Sequence, residues 1–225
     1  MDTYVRKIEV GDDESHLDIE QLYECDTGGI VWDAGLVLIS YMNTLAPSSC
    51  GGGKGNRRAL DLGSGTGVVG MAIYQLGLVD SVTLTDAASQ IDLIKQNVQR
   101  NFPGNNSIGV AKLCWEDDAD ADAILDSATP FSLITASDCV YGDRSSAPLA
   151  GLLVKLLRAS PCAEVIMSFE KRDRHSSEVA QGCDFSAEFF SLLHDANCDV
   201  KCIPRKDHGE FNAEEISIHR ITLNR

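Results

Sequence analysis

A glycine-rich stretch between two apolar runs is the part of this sequence whose residue types and spacing most directly indicate chemistry. Residues 60–67 read LDLGSGTG, and another apolar run follows them. Glycines at alternate positions permit a tight turn and let backbone N–H groups approach a ligand at the start of a helix. The stretch therefore predicts a site for the polar part of a small molecule, formed by Asp61, Gly63, Ser64, Gly65 and Gly67.

A carboxylate at the end of the next predicted strand extends this site. Asp86 follows a run rich in β-branched residues at 81–85. An acid at this place in an α/β protein can accept hydrogen bonds from the hydroxyl groups of a ribose, so the turn and the acid together predict a nucleoside cofactor. The dinucleotide fingerprint GxGxxG is not met, because Val68 stands where its third glycine would be.

Two further groups of polar residues follow predicted strands. Ser137, Asp138 and Tyr141 come after the fourth strand of the alternating region, and Glu170 and Arg172 come after the fifth. The carboxyl ends of strands in a doubly wound sheet border its ligand crevice, so we predict a role in the site for Asp138. The structural alternatives are a helix N-cap for Asp138 and a core position for Tyr141.

The two tryptophans of the chain, Trp32 and Trp115, are also candidates for the site. Trp115 follows the third predicted strand of that region, where an indole ring can stack on a base. The alternative for each tryptophan is a place in the hydrophobic core.

The elements that must position these residues alternate between strand and helix. Short apolar or β-branched runs predict strands, and apolar positions spaced three and four residues apart predict helices. Strands are predicted at residues 4–10, 16–23, 58–62, 81–85, 108–113, 131–136, 164–169, 199–203 and 216–223. Helices are predicted at residues 30–45, 68–76, 87–100, 148–157 and 185–196, with a surface helix or loop at 119–128. This order indicates an α/β fold with a doubly wound, Rossmann-like, mostly parallel sheet. We expect one domain over residues 1–225, with a small N-terminal β extension at residues 1–28.

The charge balance limits the partners of the protein. Its 34 acidic and 19 basic residues give a net charge of −15. Nucleic acid and anionic membranes are therefore not expected as partners, because both are bound through lysine and arginine. A basic partner, such as a lysine-bearing segment of another protein, fits this charge.

No targeting segment is visible, and the most apolar window, residues 34–46, is too short and too polar to span a bilayer. We therefore expect the cytosol, and also the nucleus, as the location.

The eight cysteines are expected to be reduced thiols there. Cys198 and Cys202 are considered as a zinc pair, but no metal site is predicted.

Several motifs around the candidate residues resemble a known family. They are GIVWDAGLVL at 29–38, LCWE at 113–116, SDCVY at 137–141 and FEKR at 169–172, in addition to the glycine stretch. Together they resemble family 16 of the class I (seven-β-strand) methyltransferases, a group of non-histone protein lysine methyltransferases. Ser137 stands where relatives usually carry alanine, and Phe169 replaces a tyrosine.

The resemblance implies S-adenosyl-L-methionine as the cofactor and a C-terminal strand antiparallel to the others. The glycine stretch would lie against the amino-acid part of the cofactor, with Asp61 at its amino group. Trp32 and Trp115 would line the cofactor pocket, the second near the adenine. Ser137 would either contact the cofactor through its backbone or be neutral.

The implied reaction transfers a methyl group to a lysine nitrogen of a protein substrate, with Asp138 and Tyr141 as catalytic residues. Asp138 would orient that nitrogen and stabilise its growing positive charge. It would not act as a strong base, because a nearby carboxylate raises the pKa of an amine. Tyr141 would offer its ring face or its hydroxyl group to the same nitrogen. Glu170 and Arg172 would lie on the substrate side, either in an acidic wall or as a structural ion pair.

The expected partner is a protein with a target lysine, and the enzyme is expected to be a monomer. Residues 203–219 resemble family members that methylate valosin-containing protein, an AAA-type ATPase chaperone. Another target is an alternative: an elongation factor, an Hsp70-type chaperone, or an arginine or histidine residue. A non-catalytic scaffold and an NAD-dependent oxidoreductase are further alternatives, although the chain lacks the Tyr-x-x-x-Lys pair of many such oxidoreductases.

Overall fold

The computed structural model describes residues 2–11, 14–23, 27–46, 56–126, 129–141, 145–171 and 185–224. The strands in these ranges are β1 (Thr3–Glu9), β2 (His16–Leu22), β3 (Arg58–Leu62), β4 (Ser81–Asp86), β5 (Ile108–Lys112), β6 (Leu133–Ser137), β7 (Glu164–Glu170), β8 (Cys198–Ile203) and β9 (Ile216–Leu223). The α-helices are α1 (Asp33–Leu45), α2 (Val68–Gln75), α3 (Ile91–Asn101), α4 (Asp118–Leu125), α5 (Ser146–Ala159) and α6 (Phe185–Asp195). Short 3-10 turns lie at Thr27–Gly29 and Arg205–Asp207.

Seven strands form one sheet in the order β5-β4-β3-β6-β7-β9-β8. The first five in this order pair in parallel, whereas β9 is antiparallel to both β7 and β8. This arrangement confirms the predicted doubly wound α/β fold with an antiparallel C-terminal strand. The chain moves outward from β3 to β5 and then returns to place β6 on the other side of β3. A ligand crevice is therefore expected at the carboxyl ends of β3 and β6.

The two faces of the sheet are covered by separate hydrophobic cores. Ala59 of β3 belongs to the core that contains residues of α1, α2 and α3. Leu60 and Leu62 belong to the core that contains residues of α5 and α6. Since side chains alternate along a strand, Asp61 lies on the same face as Ala59, toward α1 and α2.

Two helices begin later than the sequence predicts, and both late starts lie next to the carboxyl ends of strands. α1 begins at Asp33 because Trp32 has an extended backbone (φ −87°, ψ 152°). α3 begins at Ile91, and before it the Asp86 carboxylate accepts a hydrogen bond from the Ala87 N–H (2.7 Å). This bond stabilises a turn at residues 87–90, where the sequence predicts the first residues of the helix. Residues 87–90 therefore stay close to the crevice.

The N-terminal extension is an antiparallel hairpin of β1 and β2 that does not join the main sheet. Leu17 and Ile19 of β2 are fully buried in the core beneath α1, α2 and α3. The hairpin therefore packs on the body of the protein through one apolar face.

The suggested pairing of Cys198 and Cys202 on one zinc ion is wrong. Both residues lie on β8, where a strand rises about 3.3 Å per residue, so their sulfur atoms are too far apart for one tetrahedral ion. Within the described ranges, no group of three or more histidine, cysteine or acidic side chains could hold a metal ion.

None of the helices in those ranges has the length and apolar character that a membrane crossing requires.

Candidate active site

The crevice at the strand ends contains a cavity of about 300 Å³. This volume lies at the lower end of the range for small-molecule sites. The lining residues are Thr27, Trp32, Gly63, Asp86, Trp115, Ser137, Asp138, Cys139 and Tyr141. All of them except Thr27 and Cys139 are residues that the sequence predicts for the site. The fold therefore gathers the ends of four strands and the segment before α1 around one space.

A second cavity, of about 40 Å³, lies at the glycine stretch. It shares Trp32, Gly63 and Ser137 with the larger cavity. Its lining also includes Asp61, Ser64, Gly65 and Thr66. The two cavities together thus extend from Tyr141 to the turn between β3 and α2.

The turn between β3 and α2, called the glycine turn below, needs its glycines for different reasons. Gly63 has φ +59°, and a Cβ atom there would lie 2.7 Å from the Cys139 Sγ and 3.2 Å from the Trp115 Cζ2. A side chain at Gly63 would therefore clash with two residues of the cavity wall. Gly67 has φ +83° and faces Leu84 of the core, outside the lining of both cavities.

Asp61 is a fully buried carboxylic acid (1% exposed) at the smaller cavity. Its Oδ1 accepts a hydrogen bond from the Thr135 hydroxyl (2.5 Å), whereas its Oδ2 has no hydrogen-bond partner in the described part of the chain. Burial raises the pKa of Asp61 to about 6, although the Thr135 hydrogen bond opposes this shift. A cationic group in the smaller cavity would satisfy Oδ2 and favour the ionised form.

Asp86 joins the end of β4 to the glycine turn. Its Oδ2 accepts a hydrogen bond from the Gly65 N–H (2.7 Å), and its Oδ1 accepts one from the Ala87 N–H (2.7 Å). Burial raises the pKa of Asp86, and these two hydrogen bonds counteract the rise. Each carboxylate oxygen has a second lone pair, so Asp86 can still accept hydrogen bonds from hydroxyl groups in the larger cavity.

Asp138 is held in an unusual backbone conformation at the cavity. Its φ is +54°, in a region that costs most non-glycine residues roughly 1–2 kcal/mol. Its N–H donates to the Ser168 carbonyl (2.7 Å), and its Oδ1 accepts from the Glu170 N–H (3.3 Å), so both backbone and side chain are tied to β7. The helix N-cap alternative is wrong, because the N-cap of α5 is Ser145. Backbone strain at a cavity is typical of functional residues.

Three aromatic side chains surround the larger cavity. Trp32 is 37% exposed, and its Nε1 donates a hydrogen bond to the Thr27 carbonyl (2.7 Å). Trp115 is partly buried beside Gly63. Tyr141 is 53% exposed, so the core alternative for this residue is wrong. The aromatic rings therefore give the cavity an apolar wall and an aromatic rim.

The two predicted serines make hydrogen bonds that support the crevice. The Ser64 hydroxyl donates to the Asp61 carbonyl (3.0 Å) and accepts from the Thr85 N–H (3.0 Å), which joins β3 to β4 at the turn. The Ser137 hydroxyl lies 3.3 Å from that of Ser168, which in turn donates to the Ala34 carbonyl of α1 (2.7 Å). Ser137 lines both cavities.

Glu170, one of the two residues predicted for the substrate side, is not among the described residues that line the cavity. Glu170 contributes its backbone N–H to Asp138, and its side chain is partly exposed at the end of β7. Arg172 lies outside the described residues. Of the two lining residues that were not predicted, Thr27 has no local signal in the sequence, whereas Cys139 lies within the motif at 137–141.

Cys139 is a buried thiol at the base of the larger cavity. Its Sγ lies 3.4 Å from the carbonyl oxygens of Leu62 and Ser137. Burial raises the pKa of the Cys139 thiol well above its usual value, so it remains protonated and acts as a wall of the cavity.

Comparison with known proteins places this site in a family context. A protein-family model described as "Lysine methyltransferase" matches residues 11–193. Protein-lysine N-methyltransferase EFM6 of Saccharomyces cerevisiae is 28% identical over 172 residues, which cover 68% of this chain and 68% of that protein. EEF1A lysine methyltransferase 3 of Xenopus tropicalis is 28% identical over 178 residues, covering 78% and 73% of the two chains.

Solved structures share the fold at lower identity. An O-methyltransferase family protein from Burkholderia thailandensis matches 75% of this chain with a TM-score of 0.55 and 12% identity. This chain spans about half of that structure, 51% of its length. This similarity shows the fold alone. The chemistry is therefore argued from the residues of the site.

Proposed function

Because this chain belongs to the lysine methyltransferase family, we propose that it is a protein-lysine N-methyltransferase that uses S-adenosyl-L-methionine. One observation carries the proposal. A single cavity is lined by Asp86 at the end of β4, by two tryptophan rings and by the strained Asp138, with no lysine or arginine among its described lining residues. Such a cavity suits a nucleoside at one end and a cationic amine at the other.

The residues of the two cavities fit the parts of this cofactor. The unpartnered Oδ2 of Asp61 is an acceptor for an ammonium group at the smaller cavity. Asp86 can accept hydrogen bonds from the ribose hydroxyl groups, and Trp115 offers an apolar ring surface to the adenine. When bound, S-adenosyl-L-methionine would supply a methyl group on a positively charged sulfur: a neutral amine bonds to the methyl carbon as the carbon–sulfur bond breaks, and the sulfur leaves as the neutral thioether of S-adenosylhomocysteine.

Asp138 is the residue that we assign to the substrate amine. Its carboxylate is positioned by β7, so it can bind and aim a lysine nitrogen without rearranging. It stabilises the positive charge that develops on the nitrogen. Since a carboxylate raises the pKa of a neighbouring amine, Asp138 does not deprotonate the lysine by its field, and the proton passes to water at the open rim. The exposed ring of Tyr141 offers its face to the cationic side chain at that rim.

The test of this role is the substitution Asp138→Asn. Asparagine has nearly the shape of aspartate and tolerates a positive φ, so the backbone conformation is kept while the charge is lost. We expect kcat to fall by about 100-fold or more, while affinity for S-adenosylhomocysteine stays within about threefold. Methyl transfer from labelled cofactor to a cell extract that lacks the enzyme is followed by mass spectrometry of the labelled site.

Asp126→Asn is the matched control, because Asp126 is an exposed acid at the end of α4. It should leave turnover unchanged. Unchanged turnover in Asp138→Asn would refute the role given to Asp138. Binding of S-adenosylhomocysteine without any methyl transfer by the unaltered chain would instead favour a non-catalytic scaffold.

For the substrate we propose a non-histone protein that presents an exposed lysine. An AAA-type ATPase chaperone such as valosin-containing protein is the first candidate, supported by the resemblance at residues 203–219. Elongation factor 1A is a second candidate, because the name of the Xenopus relative refers to it. Purified proteins of both kinds, with an Hsp70-type chaperone as a third, form the panel for the methyl-transfer assay.

We also propose that the enzyme acts as a monomeric single domain in the cytosol and the nucleus. The net charge of −15 supports a basic protein partner in preference to nucleic acid. Gel filtration with light scattering measures the mass in solution, and a tagged chain reports the location.

A further inference from the structure

The N-terminal hairpin is held against α3 by two asparagine side chains. Asn97 and Asn101 are four residues apart on α3, so they project from the same face of the helix. The Asn101 amide accepts from the Asp18 N–H (2.8 Å) and donates to the Asp18 carbonyl (3.0 Å). The Asn97 amide makes the same pair of bonds with Glu20, at 2.7 and 3.1 Å. Each side chain thus pairs with β2 much as a residue of an adjacent strand would.

The two asparagines differ in their remaining hydrogen bond. The Asn97 Nδ2 also donates to the Thr66 carbonyl (3.0 Å), whereas the Asn101 Nδ2 also donates to the Asn97 carbonyl within α3 (2.8 Å). Asn97 is completely buried (0% exposed). Its amide therefore uses both N–H groups, one for the hairpin and one for the glycine turn.

Thr66 lies in the middle of the turn between β3 and α2. Its neighbours Gly65 and Gly67 both have positive φ, +56° and +83°. The peptide unit that joins Thr66 to Gly67 is fixed at both ends, because the Gly67 N–H donates to the Ser64 carbonyl (2.7 Å) and the Thr66 carbonyl accepts from Asn97. A planar peptide held at both ends cannot rotate, so this contact sets the orientation of the turn that lines the smaller cavity.

We propose that Asn97 is a positioning residue for the cofactor and that, through Asn97, the N-terminal hairpin is part of the cofactor site. The inference rests on the function proposed above. Glu20 fixes the orientation of the Asn97 amide, and that amide fixes the Thr66 carbonyl. The glycine turn then presents its backbone in the arrangement that binds the amino-acid part of the cofactor.

The test compares Asn97→Ala with Asn101→Ala in the full chain. Each variant loses two hydrogen bonds to the hairpin, so both should lower the thermal midpoint. Calorimetric titration with S-adenosylhomocysteine should show affinity about tenfold or more weaker for Asn97→Ala and within about twofold of the unaltered chain for Asn101→Ala. In the methyl-transfer assay, Asn97→Ala should raise KM for S-adenosyl-L-methionine while kcat changes little.

Asn97→Asp keeps the test decisive if Asn97→Ala does not fold. The carboxylate retains an acceptor for the Glu20 N–H but presents an oxygen to the Thr66 carbonyl, so affinity should again fall. Burial raises the pKa of such a carboxyl, and its protonated form has a donor. Lowering the pH should therefore recover part of the lost affinity of Asn97→Asp relative to the unaltered chain.

The possible failures are distinguishable. Equal losses of affinity in Asn97→Ala and Asn101→Ala would overturn the inference, because the effect would then come from hairpin docking in general. Unchanged affinity in Asn97→Ala, or in Asn97→Asp if the alanine variant does not fold, would overturn it as well. If the unaltered chain does not bind S-adenosylhomocysteine, the proposed function fails instead.

Discussion

Among single residues, Asp61 combines complete burial with a carboxylate oxygen that has no partner in the described part of the chain. Burial raises its pKa to about 6, above the value of 3.8 for an unperturbed aspartic acid. Between these two values the folded state binds more protons at Asp61 than the unfolded state does. The contribution of Asp61 to the free energy of unfolding of the ligand-free protein therefore falls as pH rises through this window.

We predict that cofactor affinity has the opposite pH dependence. The ionised Asp61 is the form that binds an ammonium group, so affinity for S-adenosylhomocysteine should weaken by up to about tenfold per unit as pH falls below about 6. Calorimetric titration from about pH 8 to about pH 5 measures this dependence.

Asp61→Asn is the control, because it keeps an oxygen acceptor for the Thr135 hydroxyl and removes the titrating group. Its affinity should be weaker at neutral pH and should lose most of the pH dependence. A variant that kept the full pH dependence would show that another group, such as Asp86, is responsible.

Residue types and local spacing predicted most of the cavity lining, but they could not predict contacts between distant segments. Asp86, Trp115 and Asp138 were predictable because each follows a strand, and the sheet brings strand ends together. The part played by Cys139 depends on the approach of its sulfur to Gly63 across the crevice, which no local pattern encodes. Gly67 follows the spacing of the glycine turn, yet its missing side chain makes room for the core.

The turn between β3 and α2 is the element whose glycine requirement can be measured most directly. Gly63→Ala should destabilise the ligand-free protein for two reasons: a positive φ, about 1–2 kcal/mol, and contact of the new Cβ with Cys139 and Trp115, about 1–3 kcal/mol. Urea unfolding gives the change in the free energy of unfolding.

Gly104→Ala is the matched control, because Gly104 has φ +74° and nothing within 4 Å of the position of a Cβ. It should show the conformational cost alone. In a Cys139→Ala background, the contact part of the Gly63→Ala effect should be reduced, since the nearest atom is removed. Equal costs at Gly63 and Gly104 would contradict the close packing of the turn against the cavity wall.

At the level of helices and strands, the alternating pattern predicted the sheet well, and the errors have local causes. The sequence predicts the starts of α1 and α3 too early because apolar periodicity continues into segments with other backbone conformations. At α3 the deciding contact is the Asp86 side chain bonding to the Ala87 N–H, and at α1 it is the extended backbone of Trp32. A local hydrogen bond or an extended residue before a helix leaves little trace in hydrophobic spacing.

For the molecule as a whole, the net charge is −15, but some of the acidic side chains are paired with lysines and attract a basic partner less strongly. In residues 116–126, an acidic segment that includes α4, Asp118 and Asp122 pair with Lys155, and Asp120 pairs with Lys112. These pairs neutralise part of the surface that could attract a basic target. Steering of a substrate therefore has to come from the remaining acids, including those at the cavity.

We predict that association with a basic protein substrate weakens as salt rises. Increasing ionic strength from about 50 mM to about 500 mM should raise KM for the protein substrate several-fold, because exposed charges are screened. Affinity for S-adenosylhomocysteine, measured in the same buffers, should change much less. A KM for the protein substrate that is independent of salt would leave the excess charge with a role in solubility alone.

The pairing of β2 with the asparagines of α3 also bears on how the chain avoids self-association. A hairpin outside the main sheet has two strand edges, and a free edge is a template for pairing with another molecule. One edge has its Asp18 and Glu20 backbone groups occupied by side chains of α3. The other strand, β1, carries the exposed cations Arg6 and Lys7, a common protection against edge-to-edge aggregation. Both edges of the hairpin thus carry features that disfavour edge-to-edge pairing with another chain.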